Sequence, residues 1–404
     1  MQNQNWQKVL AVATVTVLIV SFTTLAVAQR LSSDDRRAIF AAAPRVQTSV
    51  KGVTAIAGAP KGFDPLTATN RELLSYGLPQ RPDQTVDAKA YGIWERAMLA
   101  VKPVAGVAAG AGHTSSNPMT ATDVKAQPYT SREMMPAKSA PKSNVDGTVT
   151  YDSTNWSGIA NFNTLTKWNT KTSFDEVVSV WNVPVSDHPF GNLPCAEGPW
   201  YEVSWNGIDG AFNGDVVQGG SEIYWDGGGC SGSISYSGWV EWYPSYSILT
   251  IYCGSSPCPV SPGDDFYAVT YGAPGTDEQY VFVEDITQQW SGTFGLPYIT
   301  GPGLVGRSAE YIVERPCCEG DGYPLPLNNY IYEFFDDSFA YDGAGTLFYP
   351  GNAGTHTAIF DMVDDKDDQI ISEPLWYGTA GNQGKYSIWF TDDGCAYSGG
   401  CTKD

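Results

Sequence analysis

Two segments of this chain place carboxylates and aromatic side chains at alternate positions. In 308–314, Ser-Ala-Glu-Tyr-Ile-Val-Glu, the side chains of Glu310 and Glu314 share one face if the segment is a β-strand. The same parity in 239–243 places Trp239, Glu241 and Tyr243 together. Such a face suits a wet groove across a sheet, and parity alone is equally consistent with a solvated outer face. A carboxylate in a groove can take a proton from water and return it to a leaving group.

Residues 146–404 contain few of the motifs that are typical of other hydrolases. There is no Gly-x-Ser-x-Gly motif, and His188 and His356 are the only histidines there, so one Ser-His-Asp triad stays open as an alternative. Neither Asp-Thr-Gly nor Asp-Ser-Gly occurs, which argues against a paired-aspartate site. Without a Cys-x2-Cys pair, the cysteines do not resemble a zinc site. We therefore predict no metal and no cofactor.

The elements that must position these carboxylates have the pattern of antiparallel strands. Short β-branched and aromatic runs, broken by Gly, Pro, Asn and Asp, follow one another after Asn155. They cover 177–183, 201–205, 239–243, 266–271, 280–284, 311–313 and 386–390. No long amphipathic helix and no second linker interrupt them. We predict one all-β domain, a sandwich or barrel, over residues 146–404.

The residues before this domain differ from it in composition. Residues 1–28 contain one cation, Lys8, an apolar run from Val9 to about Val20, and the small-residue ending Ala26-Val27-Ala28. This pattern is typical of a signal peptide, and an uncleaved membrane anchor is the alternative.

Residues 29–145 and 146–404 have opposite charges. The first contains 15 Lys+Arg and 9 Asp+Glu; the second contains 7 and 35, a formal charge of −28. Opposite charges predict a basic pro-segment docked on an acidic domain, with a disordered spacer as the alternative. We expect short helices at 71–76 and 91–101. Residues 126–144, rich in Pro, Ala, Ser and Lys, are interpreted as the linker in which processing occurs.

All eight cysteines lie in the acidic half, at 195, 230, 253, 258, 317, 318, 395 and 401. An even count after a signal peptide predicts disulfides and secretion. Cys253 with Cys258 and Cys395 with Cys401 could close local loops, whereas neighbouring Cys317 and Cys318 are expected to have different partners. So acidic a domain should repel nucleic acid and anionic membranes, and we expect neither as a partner once the signal peptide is removed. We also expect a monomer.

Five motifs, taken together and in order, resemble the eqolisins, or glutamic peptidases. They are Asn-Trp-Ser-Gly at 155–158, Trp-Asn-Val-Pro at 181–184, Trp-Asn-Gly-Ile-Asp-Gly at 205–210 followed by Gln218, Trp-Val-Glu-Trp-Tyr-Pro at 239–244, and Ala-Glu-Tyr-Ile-Val-Glu at 309–314. Two features depart from the family: Tyr311 stands where a tryptophan is usual, and residues 317–323 resemble an insertion.

The resemblance implies a lectin-like (concanavalin-like) sandwich of two large antiparallel sheets, with substrate lying across the concave sheet. It implies a catalytic dyad of Gln218 and Glu310, acting in acid on protein or peptide substrates. Glu310 would activate water and protonate the leaving nitrogen, while the Gln218 amide would donate to the oxyanion. Glu314 is the alternative base.

The remaining site residues implied by the resemblance are expected in the cleft or directly behind it. They are Trp205, Asp209, Trp239 and Glu241, with Glu314 if it is not the base; Trp205 and Trp239 could equally be core residues. The alternative function is a sandwich that binds glycans, or hydrolyses them with a carboxylate pair such as Glu241 and Glu310.

Overall fold

The computed structural model describes residues 30–101, 118–144, 148–162, 173–186, 199–226, 232–318, 324–351, 356–364, 369–376 and 384–391. The predicted signal peptide and the cysteines at 195, 230, 395 and 401 lie outside these residues. Within them, no helix has both the length and the apolar character needed to span a membrane.

Three helices are described, and all precede the acidic half: α1 (Ser33–Ala42), α2 (Asn70–Ser75) and α3 (Ala88–Ala100). Each begins at a side chain that accepts a backbone hydrogen bond: Ser32, Thr69 and Asp87. The expected helices at 71–76 and 91–101 are therefore confirmed as α2 and α3. The sequence analysis did not predict α1.

The described part of the chain is otherwise rich in strands, which confirms the all-β class. They are β1 (Arg45–Gln47), β2 (Thr54–Ile56), β3 (Met119–Thr120), β4 (Asp123–Ala126), β5 (Lys142–Ser143), β6 (Val149–Ser153), β7 (Trp156–Phe162), β8 (Phe174–Asn182), β9 (Trp200–Ile208), β10 (Val216–Trp225), β11 (Ile234–Tyr243), β12 (Leu249–Cys253), β13 (Ser256–Pro257), β14 (Asp265–Tyr271), β15 (Glu278–Asp285), β16 (Trp290–Pro297), β17 (Ser308–Glu314), β18 (Tyr332–Asp342), β19 (Leu347–Phe348), β20 (His356–Val363), β21 (Ile370–Trp376) and β22 (Tyr386–Phe390). Each predicted strand segment coincides with or overlaps one of them.

The strands form two packed layers. The front sheet has the order β4-β12-β11-β10-β9-β17-β7-β20-β6-β5, and the back sheet has the order β22-β18-β8-β14-β15-β16-β2-β1. Within these two orders every pairing is antiparallel except that of β6 with β20, and β3 pairs in parallel with β16 of the back sheet. β21 pairs with both β20 and β22, which joins the layers. Large apolar side chains from both sheets, such as Trp181, Phe266 and Trp242, fill the space between them.

The basic N-terminal residues are docked on the outer face of the back sheet. Apolar residues of the three helices pack there against residues such as Tyr280 and Phe282. Five ion-pair positions surround this contact: Arg30 with Glu176, Arg36 with Asp175, Arg45 with Glu278, Lys89 with Asp337, and Arg96 with Asp265 and Asp336. The opposite charges of the two parts therefore do meet.

Residues 127–137, here called the crossing segment, do not form a free linker. After β4 has paired with β12 at one edge of the front sheet, this segment passes over the outer face of that sheet. It reaches the start of β7, where Thr154 N donates to Met135 O at 2.8 Å and Ala137 N donates to Asp152 O at 2.9 Å. The N-terminal part of the chain thus covers both outer faces of the sandwich.

Two disulfides are described. Cys253 is bonded to Cys258, as expected. Cys317 is bonded to Cys318, so the expectation of separate partners was wrong. That expectation rested on how rarely neighbouring residues satisfy disulfide geometry, since their Cα atoms, here 3.2 Å apart, lie closer together than in most disulfides.

Candidate active site

Four residues form a row across four neighbouring strands of the front sheet. Glu241 on β11 is opposite Gln218 on β10, which is opposite Gly207 on β9, which is opposite Glu310 on β17. Residues directly opposite one another in antiparallel strands point to the same side. Gln218 and Glu310 are therefore two strand spacings apart, about 9.5 Å, on the outer face of the sheet.

Gly207 contributes no side chain between the two. A Cβ at this position would lie 3.2 Å from the Cβ of Gln218 and 2.8 Å from Cζ3 of Trp205. Any other residue would therefore crowd both neighbours. The glycine keeps the approach between Gln218 and Glu310 open.

The amide of Gln218 is held from one side only. Its Nε2 donates to Oε2 of Glu241 at 3.1 Å. Its Oε1 is fully buried and has no hydrogen-bond partner among the described residues. One side of the amide is thus fixed while the other is unused.

Glu310 is the least satisfied carboxylate of this face. Both of its oxygens are buried and lack a hydrogen bond of normal geometry within the described residues, and the nearby Ser308 hydroxyl is also unpartnered. Burial raises the pKa of Glu310 well above its usual range, and the charge of Asp209 adds to this. The Ser308 hydroxyl and the backbone N–H of Ala211 lie close enough to oppose the rise. Clustered unpaired polar groups in a buried place are typical of a functional site.

Glu314, four residues along the same strand, has hydrogen-bond donors on both carboxylate oxygens. Its Oε1 accepts from Arg132 N at 2.9 Å and from Asn155 Nδ2 at 3.1 Å. Its Oε2 accepts from Trp205 Nε1 at 2.9 Å and from the Ser131 hydroxyl. Burial raises its pKa to about 8 against the effect of these donors. A carboxylate surrounded in this way is poorly placed to act as a base.

Glu241 holds the Gln218 amide and also binds the crossing segment. Besides the amide, it accepts from Ser131 N at 3.0 Å and from the Thr130 hydroxyl. Burial raises its pKa well above the usual range. Glu241 therefore connects the candidate dyad to the segment above it.

Trp205 and Trp239 are fully buried on this face. Trp205 packs edge-on against Trp156, with ring centroids 5.0 Å apart, and orients Glu314 through its indole N–H. Trp239 donates to Ser221 O at 3.0 Å. Both belong to one apolar cluster that also includes Tyr129 and Met134 of the crossing segment.

Asp209, expected in the cleft or directly behind it, is bonded to the loop before β17. Its carboxylate accepts from the backbone N–H groups of Val305 at 2.6 Å, Gly306 at 2.8 Å and Arg307 at 2.7 Å. These residues lead directly into β17. Asp209 thus positions the strand that carries Glu310, and the amide of Gln218 is held by Glu241.

The predicted wet groove is covered in this structure. Gln218, Glu241, Glu310 and Glu314 are all completely buried. Above them lie the crossing segment and Ala211, which follows the left-handed residues Asp209 and Gly210 at the end of β9. Parity predicted which side chains share the face, but it contains no information about a distant segment that covers it.

Other residues of this face were not singled out from the sequence. Glu222 on β10 accepts from the Tyr129 hydroxyl at 2.5 Å and from the Ser237 hydroxyl at 3.0 Å. Gly207 and Ser308 were also not predicted as site residues. Once the strands are assigned, alternation along each strand places both on the same face as Glu310 and Gln218. Within the described residues, no group of three or more His, Cys, Asp or Glu is arranged to hold a metal.

Comparison with known families covers the part of the chain that contains this row of residues. Residues 154–374 match the peptidase A4 family. This chain belongs to the peptidase A4 family. The resemblance to the eqolisins is thereby confirmed, and the protein is a peptidase, so family membership decides against the glycan-binding alternative.

Solved structures of other peptidases align with this peptidase A4 protein at low identity. Scytalido-glutamic peptidase with a transition state analog inhibitor is 20% identical over 59% of this chain and 98% of its own, with a TM-score of 0.44. SCP-B, an eqolisin in complex with the tripeptide Ala-Ile-His, is 17% identical over 59% and 98%, with a TM-score of 0.43. Aspergilloglutamic peptidase from Aspergillus niger is 22% identical over 48% and 99%, with a TM-score of 0.37. No curated protein sequence matches the chain.

Proposed function

We propose that this peptidase is a secreted, acid-acting glutamic endopeptidase, made as a zymogen, in which Gln218 and Glu310 hydrolyse peptide bonds of proteins. The observation that carries the proposal is the row Gln218-Gly207-Glu310. In it, a buried amide oxygen and a buried carboxylate, both unpartnered within the described residues, face a position that has no side chain of its own.

The two side chains supply the functions that peptide hydrolysis needs. Glu310, when ionised, accepts a proton from the attacking water and later donates one to the departing nitrogen. Gln218 Nε2 has two hydrogens: it donates one to Glu241, which fixes the amide, and it donates the other to the oxyanion, while Oε1 is free to accept from the attacking water. Glutamine does not titrate, so Glu310 alone sets the ionisation required for attack.

The covered state agrees with a zymogen. A carboxyl group whose pKa is raised far above the usual range stays protonated in acid and cannot act as a base. Opening the face to water removes the desolvation that raises this pKa and returns Glu310 to a range near 4, where it ionises in mild acid. Departure of the crossing segment would therefore both admit substrate and activate the base.

Secretion and acid action rest on the sequence. Residues 1–28 have the composition of a signal peptide, and the charge of −28 on residues 146–404 is reduced when carboxylates become protonated. The Cys253–Cys258 disulfide fits an oxidising compartment.

The test is hydrolysis of a denatured protein such as casein by the full chain between about pH 2 and pH 7, with and without pepstatin, an inhibitor of paired-aspartate sites. We expect cleavage confined to acid, resistance to pepstatin, and loss of activity in folded Glu310→Gln and Gln218→Ala variants. Mass spectrometry should show that active protein has lost its N-terminal residues. Full activity in folded Glu310→Gln would exclude the dyad, and activity confined to neutral pH would exclude acid action.

A further inference from the structure

Three consecutive residues of the crossing segment place hydroxyl groups on three different buried carboxylates. The Tyr129 hydroxyl donates to Glu222, the Thr130 hydroxyl to Glu241, and the Ser131 hydroxyl to Glu314. The three acceptors lie on β10, β11 and β17, so the segment is bound across the strands.

The backbone of the same residues is bound as well. Ser131 N donates to Glu241 at 3.0 Å, and Arg132 N donates to Glu314 at 2.9 Å. Trp156 Nε1 donates to Arg132 O at 3.0 Å. Cys317 makes further backbone contacts: it exchanges two hydrogen bonds with Thr130, at 2.6 Å and 2.7 Å. The segment is therefore held by main chain and side chains together, as an extended peptide is held in a binding groove.

The chemistry of this face does not resemble a surface built only for packing. An apolar lining would cover a permanent segment without the desolvation of three carboxylates. Each carboxylate also has a donor from the sheet itself: Ser237 for Glu222, Gln218 for Glu241, and Trp205 with Asn155 for Glu314. When the segment leaves, each keeps its orientation and regains an acceptor position for a new donor.

We propose that the crossing segment occupies the peptide-binding cleft as a substrate does, and that Glu222, Glu241 and Glu314 are subsites selecting hydrogen-bond-donating side chains on three consecutive residues. This inference rests on the proposed function, because it takes the face that carries Gln218 and Glu310 as the cleft. It identifies a class of preferred substrate, peptides with Tyr, Thr or Ser in a row, and explains latency of the intact chain by the same contacts.

The first experiment uses two synthetic peptides and the wild-type protein after acid incubation, so no variant has to fold. One peptide has the sequence of residues 127–136, and the other replaces Tyr129-Thr130-Ser131 by Phe-Val-Ala. Both compete with casein for hydrolysis. We expect the hydroxyl peptide to compete at a concentration at least about tenfold lower, because it alone makes three hydrogen bonds to carboxyl oxygens, which accept whether or not the group carries a proton. Equal competition by the two peptides would overturn the subsite assignment.

The second experiment measures latency in the full chain. Thr130→Val with Ser131→Ala removes two hydroxyls, and Ser139→Ala is the matched control because Ser139 donates to Asp152 on β6, away from the dyad. In the first minutes in acid, before gel analysis shows any cut, we expect the double variant to hydrolyse a small peptide about tenfold faster than the wild type and the control. Equal latency in all three would overturn the role of these contacts.

A third measurement separates this inference from the proposed function. In the Glu310→Gln chain, hydrogen exchange of residues 127–137 is compared with and without the Thr130→Val and Ser131→Ala changes. We expect exchange to be about tenfold faster with them, whether or not the protein proves to be a glutamic peptidase. Unchanged exchange would show that these hydroxyl groups do not hold the crossing segment. If instead the Glu310→Gln and Gln218→Ala variants both kept their acid activity, that result would count against the dyad alone.

Discussion

Glu310 and Glu314 point to the same side of one strand and are equally buried, yet their surroundings are opposite. Around Glu314, four donors from the sheet and the crossing segment occupy both carboxylate oxygens. Around Glu310, neither oxygen has a hydrogen bond of normal geometry among the described residues, and the residue opposite is glycine. Two identical side chains thus have opposite surroundings. Glu314 binds the crossing segment, whereas Glu310 has no such donors, which is the division that the proposed function requires.

The strongest test of this contrast is a pair of identical substitutions on one strand. We expect Glu310→Gln to lower kcat by roughly a thousandfold or more, because it removes the proposed base. Glu314→Gln should change kcat by less than about tenfold, because an amide still accepts a hydrogen bond. The measurement is casein hydrolysis after acid incubation, with circular dichroism to establish folding. A comparable loss in both variants would remove the distinction.

The next effect concerns the space between the dyad residues. Gly207→Ala would place a Cβ 2.8 Å from Trp205 and 2.9 Å from the carbonyl oxygen of Val217. We expect kcat/KM to fall about a hundredfold, because reacting groups displaced by about 1 Å lose that much. Gly92→Ala is the control, since a Cβ on that helical residue meets no atom within 4 Å. Full activity in Gly207→Ala would show that the open approach is not required.

A smaller effect is expected at Asp209, which positions the Glu310 end of the strand. Asp209→Asn leaves the size unchanged but weakens three charge-assisted bonds to residues 305–307. We expect the free energy of unfolding to fall by about 1–3 kcal/mol, measured by urea denaturation. The fall in kcat should stay within about tenfold, since no reacting group is removed. A variant as stable as the wild type would show that the loop does not depend on this carboxylate.

The prediction with the smallest effect on activity concerns the pH dependence of stability at the Glu314 end. Glu314 has a pKa of about 8 in the folded chain, against 4.5 as its ordinary value. The folded protein therefore keeps a proton that the unfolded chain releases. This contribution to stability is complete below about pH 4.5 and is lost as the pH rises towards 8. Urea denaturation at several pH values should show a shallower decline over this window in Glu314→Gln than in the wild type. Equal slopes would show that Glu314 does not titrate in this range.

Much of this arrangement could be predicted from local sequence. Alternation in 308–314 and 239–243 correctly placed Glu310 with Glu314, and Trp239 with Glu241, on common faces, because a strand has a period of two. The opposite charges of 29–145 and 146–404 predicted their contact, which the ion pairs of Arg36 and Arg45 bear out.

The rest depends on contacts between residues far apart in the sequence. The four donors of Glu314 come from positions 131, 132, 155 and 205, and no local pattern joins them. Asp209 was expected in the cleft or directly behind it, because it follows Trp205 in one of the five motifs. Its left-handed backbone turns the chain and directs the carboxylate to the loop before β17. Register across strands, rather than spacing along the chain, decides which residues meet.

The helices that pack on the back sheet attach the N-terminal part of the chain at a second place, away from the cleft. They cover Tyr267, Tyr271, Tyr280, Phe282 and Phe339, an aromatic surface that water would otherwise contact. A single cut in the crossing segment therefore leaves the severed piece attached by apolar burial and by the pairing of β2 with β16. We expect the nicked protein to elute from a sizing column as a two-chain complex. Acid would weaken part of this attachment, because a protonated Glu176 or Asp175 no longer forms an ion pair with Arg30 or Arg36, so a cut would release the ends of the segment while the medium would determine how long the two chains stay together.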